Sequence, residues 1–276
     1  MPPVRLLAEE RRAHRLRQHA PQLPTLSADD QQIATTIRND GVHLTTLDAL
    51  ALPGTAHLKV LLEQLVNELA AMPSTASTLR PSRDRMLLDP ALWHFGLSDR
   101  MLDIAETYLG LPARYYGADV RREVADGAQH DVRQWHRDVE DYRVLKILVW
   151  LNDVDTDGGP FAYIPRPRSR ELGEILYYVG GFVSDDRMRE IEREHRWKLA
   201  AGPKWTVVMP DTAQVFHRAT PPQVRDRYSV TFTWTSRHPI RTNPKEPFTR
   251  EQASRIRNGL SSRQLDCLPR ALALRP

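Results

Sequence analysis

The chain has 276 residues, 41% hydrophobic and 27% charged, enough for one large domain with a sizeable core. Its formal net charge is +4, and residues 1–21 hold Arg5, Arg11, Arg12, Arg15 and Arg17 against Glu9 and Glu10, a local +3. The near-neutral remainder argues against a broad nucleic-acid-binding face, no apolar run nears membrane-spanning length or forms the core of a signal peptide, and the single cysteine, Cys267, rules out an intrachain disulfide. The expected compartment is the cytoplasm and the expected partner a small molecule, with neither nucleic acid nor membrane; the oligomeric state stays open.

Residues 1–26 read as a basic arm, either a solvated helix or a tail. Residues 27–112 read as helical. Ser27 offers an N-cap, Ile33 and Ile37 lie one turn apart, and Asn39-Asp40-Gly41 supplies a stop. Residues 56–72 carry the stripe Leu58, Leu61, Leu62, Leu65, Val66 and Leu69. After a loop at 73–83, a third helix runs from Ser98 to Leu109 and ends at Gly110.

From residue 113 the period changes. Strands are expected at 113–124, 144–151, 161–164, 205–209 and 228–234, rich in β-branched and aromatic residues and parted by turns such as Asp157-Gly158-Gly159-Pro160. One helix interrupts them, from Asp185 to about Leu199, with Met188, Ile191, His195 and Leu199 on one stripe. A tail or helix occupies 241–276. The expected fold is mainly β with flanking helices: one domain over 27–276, with a double-stranded β-helix (jelly-roll, cupin-like) core at about 113–240 buttressed by N-terminal helices.

Chemistry concentrates in Gln134-Trp135-His136-Arg137-Asp138 and in His217. Two imidazoles and one carboxylate make the facial triad of a non-haem Fe(II) site, leaving three positions open. Residues two apart point the same way on a strand, so the His-x-Asp spacing implies a β scaffold. His130 is close enough in sequence to compete, but lacks that spacing.

The region from Gln134 to Trp234 resembles the phytanoyl-CoA dioxygenase-like family of Fe(II)- and 2-oxoglutarate-dependent oxygenases. The resembling pieces are 134–138, Leu145 to Asp155, Gly158-Gly159-Pro160 to Pro165, Met209-Pro210-Asp211-Thr212, His217-Arg218 and Arg227-Tyr228-Ser229. The resemblance implies Fe(II) held by His136, Asp138 and His217, with 2-oxoglutarate and O2 as co-substrates. It also implies oxidation, most simply hydroxylation, of a small organic metabolite, in keeping with bacterial secondary metabolism. Related halogenases replace the carboxylate ligand with a small residue, so Asp138 argues against halogenation. After Pro165 the family continues Gly-Ser-His, whereas this chain reads Arg166-Pro167-Arg168-Ser169 and makes an excursion to residue 200.

The far carboxylate of a 2-oxo acid calls for a planar bidentate donor, which arginine supplies. Arg227, ten residues after His217, fills that role, with Ser229 on the same strand face and Arg225 as the runner-up. Gln134 shares the parity of His136. Lys146, inside an apolar strand, needs a partner or solvent, and Trp150 shares its parity as a pocket wall or core residue. The rival readings are a cupin-like metal-binding protein or isomerase without 2-oxoglutarate turnover, and a protein-modifying oxygenase that docks through its basic arm.

Overall fold

A computed structural model describes residues 2–241, 248–269 and 272; the rest of the expected C-terminal segment lies outside the described residues. In chain order the elements are α1 (Pro2–His19), α2 (Ala28–Asp40), β1 (Val42–Thr46), α3 (Thr55–Ala71), β2 (Thr78–Leu79), α4 (Arg83–Met86), α5 (Ala91–Gly96), α6 (Asp99–Leu109) and β3 (Ala113–Glu123). There follow β4 (Leu145–Trp150), β5 (Phe161–Tyr163), α7 (Arg166–Ile175), α8 (Asp185–Ile191), β6 (Lys198–Ala200), β7 (Thr206–Pro210), β8 (His217–Ala219), β9 (Arg227–Ser236), α9 (Arg250–Arg257) and α10 (Ser262–Cys267). None of the described helices is long and apolar enough to cross a membrane.

The strands form two antiparallel sheets, a six-stranded one in the order β1-β7-β4-β9-β3-β2 and a three-stranded one in the order β6-β5-β8. Alternation along the strands divides the large sheet into two faces. Val120, Val149, Val230, Phe232 and Trp234 pack against the helices, meeting Leu62, Leu65 and Leu69 of α3 and Met101 and Tyr108 of α6. On the other face Val42, Trp150 and Val208 meet Phe161 and Ala200 of the small sheet. This is the double-stranded β-helix with a helical buttress expected from the sequence.

The helical punctuation works as read. Ser27 accepts from Asp30 N, and Gly41 closes α2 at φ 89° with its N–H on Ile37 O. Gly110 closes α6 in the same left-handed conformation. Ser98, however, does not cap α6 and instead bonds back to Phe95 O. Leu58, Leu61, Leu62, Leu65 and Leu69 are buried along α3, and Val66 is partly so.

Several elements differ from the sequence expectation. Two strands from the helical third join the large sheet: β1 pairs with β7, and β2 pairs with β3. The helix expected over 185–199 stops at Ile191. There the buried Glu192 is drawn inward to Arg168 Nε, the backbone turns extended, and Leu199 lies on β6 opposite Ala162. Pairing with β5 therefore overrides the helical period of Met188, Ile191, His195 and Leu199. The excursion after Pro165 holds α7, which accommodates Pro167 in its first turn, where a missing N–H costs nothing. The buried Ser169 hydroxyl donates to Ile164 O at 2.6 Å and accepts from Phe216 N at 2.9 Å, pinning α7 to the strands beneath it.

Gly41 carries both the left-handed φ and a close approach: an added Cβ would collide with Val215 Cγ1 and lie 3.1 Å from Arg166 Cβ. Gly41→Ala should cost about 2–4 kcal/mol, from left-handed strain together with overpacking. Urea denaturation checks it, with a lower midpoint at unchanged slope as the expected outcome.

Candidate metal centre

His136 and His217 pair as a single antiparallel bridge, each backbone N–H donating to the other's carbonyl at 2.9 Å. Asp138 N donates to Thr212 O at 2.9 Å, holding the next same-side residue in line. One ligand atom from each of His136, Asp138 and His217 falls within 4.8 Å of the others. Asp138 Oδ1 is the shared near atom, 3.7 Å from His136 Nε2 and 4.0 Å from His217 Nε2.

The imidazoles are oriented by the main chain. His136 Nδ1–H donates to Gln134 O at 2.8 Å and His217 Nδ1–H to Val215 O at 3.1 Å, leaving both Nε2 lone pairs directed at Asp138. Burial keeps both rings neutral: it lowers the His136 pKa and, helped by neighbouring His136, pushes His217 down to about 3. Burial opposes the Asp138 carboxylate, but Lys146, His217 and His136 outweigh it and hold the group well below the ordinary carboxylate range. Two neutral imidazoles and a carboxylate, already gathered and mostly buried, are a donor set suited to one divalent cation.

The other residues singled out in the sequence fall in several places. Lys146, partly exposed, has a partner: its Nζ lies 2.5 Å from Asp138 Oδ2. Gln134 contributes its carbonyl to His136 rather than a side-chain contact. Trp150 is buried in the barrel interior, donates from Nε1 to Ala200 O at 3.0 Å, and has the Arg227 guanidinium 5.7 Å over its ring. His130 is exposed beside Asp131 and stands outside the triad.

Arg227 is only 3% exposed. Its Nη1 donates to Thr220 O at 3.1 Å, while Nε is buried without an acceptor; among the described residues no carboxylate is in ion-pair contact with it, Glu123 opposite it on β3 being held by Arg133 at 3.1 Å and acting on it only through space. Burial drives its pKa down to about 10. Asp226, its neighbour in sequence, holds Arg122 at 2.6 Å on the helix side. Arg225 is half exposed and paired with Asp155 at 2.6 Å, which removes it as the inward anchor. Ser229 is buried on the inward face, directly between Trp150 of β4 and Arg121 of β3 in register.

Two site neighbours were not picked out in the sequence. Arg121 faces inward with its Nε buried and unbonded, and its charge helps depress Arg227. The alternation of Asp119, Arg121 and Glu123 along β3 was the signal that could have found it. Phe182 packs edge-on against the His136 ring at 5.4 Å, and it belongs to the excursion for which the sequence offered no pattern.

No protein-family model matches this chain, and no curated protein matches it. Among solved structures it is similar to EctD from S. alaskensis with bound Fe, with a TM-score of 0.49, 16% identity and coverage of 76% of this chain and 77% of that one. It is similar also to SnoN, the non-haem alpha-ketoglutarate-dependent epimerase from nogalamycin biosynthesis, with a TM-score of 0.45, 14% identity and coverage of 76% and 83%. The structure of HygX from Streptomyces hygroscopicus with nickel and 2-oxoglutarate bound matches at a TM-score of 0.50 and 15% identity, over 77% of this chain and 88% of that one. At that identity the likeness establishes the fold: this chain has the architecture of HygX.

Proposed function

We propose that the protein is a non-haem Fe(II)- and 2-oxoglutarate-dependent dioxygenase that oxidises a small organic metabolite, most simply by hydroxylation. The carrying observation is Arg227. A buried guanidinium with no carboxylate in ion-pair contact is costly, and this one lies over Trp150, which packs in one cluster with Phe161, itself stacked 5.3 Å from the His217 ring. A cupin that only binds metal, or an isomerase without a 2-oxo acid, has no use for an inward anion anchor there. The motif resemblance to the phytanoyl-CoA dioxygenase-like family supports the same reading, as does the fold shared with HygX, which was solved with 2-oxoglutarate bound.

In this reading His136, Asp138 and His217 hold Fe(II), and Arg227 with Ser229 grips the far carboxylate of 2-oxoglutarate. When bound, iron and 2-oxoglutarate together supply O2 activation coupled to oxidative decarboxylation. The chain's own share is positional. The carbonyls of Gln134 and Val215 fix the imidazole tautomers, and Lys146 occupies Asp138 Oδ2 so that Oδ1 faces the histidines. Trp150 closes the interior beside Arg227 and keeps water from the carboxylate it would bind. Phe182 borders the substrate side of His136.

His136→Ala should lose stoichiometric Fe(II) binding in anaerobic titration; unchanged stoichiometry removes His136 from the ligand set. Arg227→Met should retain iron yet raise the 2-oxoglutarate concentration for half-maximal succinate formation by about thirtyfold or more, the scale of losing a buried charge pair. An unaltered requirement would pass the anchor to Arg121 or Lys146. Failure of the wild-type chain to form succinate with a broad metabolite panel, despite binding both iron and 2-oxoglutarate, would favour the cupin-like alternative.

A further inference from the structure

The segment that carries two of the candidate ligands is hydrogen-bonded along both of its edges. On one edge His136 exchanges main-chain bonds with His217, and Asp138 N donates to Thr212 O. On the other, Trp135 exchanges main-chain bonds of 3.0 Å and 2.7 Å with Val183, near the end of the excursion that follows Pro165. Hydrogen-bonded pairs on an antiparallel ladder alternate with non-bonded pairs whose side chains lie close together. The non-bonded pair beside Trp135 and Val183 is His136 and Phe182, and their rings do meet, with centroids 5.4 Å apart.

The next bonded pair on this second edge would be Arg137 and Gly181. At that rung a side chain stands between the two main chains. Arg137 N–H donates to Tyr178 Oη at 3.0 Å, and the hydroxyl donates to Gly181 O at 2.7 Å, with Arg137 O lying 3.4 Å from the same oxygen. Gly180 and Gly181, at φ 143° and 92°, turn the chain at this point, a path that suits residues without a Cβ.

Tyr178 is itself held from two other directions. Its N–H donates to Gly173 O at 2.9 Å, and that of Tyr177 donates to Glu174 O at 3.1 Å; together these are the paired bonds of a Schellman cap on α7. Tyr177 fills the left-handed position of that cap at φ 48°, a conformation that is costly for a residue with a Cβ. Such a residue persists where its surroundings over-determine it. The surroundings here are α7 on one side and, on the other, the Tyr178 ring, which packs edge-on against Phe216 at 4.8 Å. Phe216 precedes His217, so Tyr178 touches the segments of all three candidate ligands.

We propose that Tyr178 is a positioning residue for the metal centre: its hydroxyl takes the place of a main-chain rung and fixes Arg137, the residue between His136 and Asp138. This role rests on the ligand assignment above but needs neither 2-oxoglutarate nor turnover. Phenylalanine at this position would leave Arg137 N–H without its acceptor. The two peptides flanking Arg137 would then turn more freely, and the mutual aim of the His136 imidazole and the Asp138 carboxylate would loosen.

Titration of the full metal-free chain with Co(II), read by the visible d–d absorption of the bound ion, tests this. Tyr178→Phe, which keeps the ring on Phe216, should bind Co(II) about tenfold or more weakly than the wild type, the scale of losing a group that orients metal ligands. Its absorption bands should differ in intensity as well, because the ligand geometry changes. Tyr177→Phe, whose side chain is 90% exposed, should match the wild type in affinity and spectrum. Circular dichroism and urea denaturation establish that both variants are folded. Wild-type affinity or a wild-type spectrum in Tyr178→Phe overturns the proposal, whatever the urea midpoint, and so does an equal loss in Tyr177→Phe. His136→Ala in the same titration separates the two readings: Co(II) binding retained there, or absent in the wild type, overturns the ligand assignment and the role of Tyr178 with it.

Discussion

The reciprocal main-chain hydrogen bonds between His136 and His217 are the constraint on which the site depends. They join a segment that follows β3 to the first residue of β8, across 81 positions of sequence, at a single rung. Because directly opposed residues on antiparallel strands share a face, that rung sets both imidazoles on one side. The same alternation then brings Asp138 back two residues later. A slip of one residue would turn all of these groups to the other side. The hydrogen bonds of the two Nδ1 atoms to nearby carbonyls finish the arrangement without other side chains, so the orientation of both imidazoles is a property of backbone register.

The large sheet carries a second constraint, which separates apolar from ionic chemistry by parity alone. Val230, Phe232 and Trp234 of β9 face the helices, while Arg227 and Ser229 face inward. The helical face supplies the burial that stabilises the fold. The inward face bears the cost of an unpaired guanidinium and of the Lys146–Asp138 pair. Stability and chemistry are thus placed on opposite sides of the same strands, as expected where a site breaks the local rules that a core obeys.

Much of this was legible in sequence because it rests on short-range periodicity. The His-x-Asp spacing, the five expected strands, the α3 stripe and the Gly41 and Gly110 stops all follow from residues within a few positions of one another. What escaped detection rests on distant partners. Strands β1, β6 and β8 have three to five residues, and tertiary pairing rather than propensity makes them strands. The helix expected over 185–199 had the right period, but Glu192 is claimed by Arg168 and Leu199 by β5. Arg121 was within reach of the alternation rule; Phe182 was not.

The Ser169 hydroxyl, bonded at once to Ile164 O and Phe216 N, ties the excursion after Pro165 to the strand end that presents His217. Phe216 immediately precedes His217, so the helix that begins the excursion is hydrogen-bonded to the neighbour of a candidate ligand. The rim is consequently not an interchangeable accessory resting on a rigid barrel. A change of excursion, in evolution or by grafting, must reproduce this three-way junction or shift the strand end that presents an imidazole. Residues 176–184, beyond α7, are tied in as well, because Tyr178 packs on the Phe216 ring at 4.8 Å and Val183 exchanges main-chain hydrogen bonds with Trp135, the neighbour of His136.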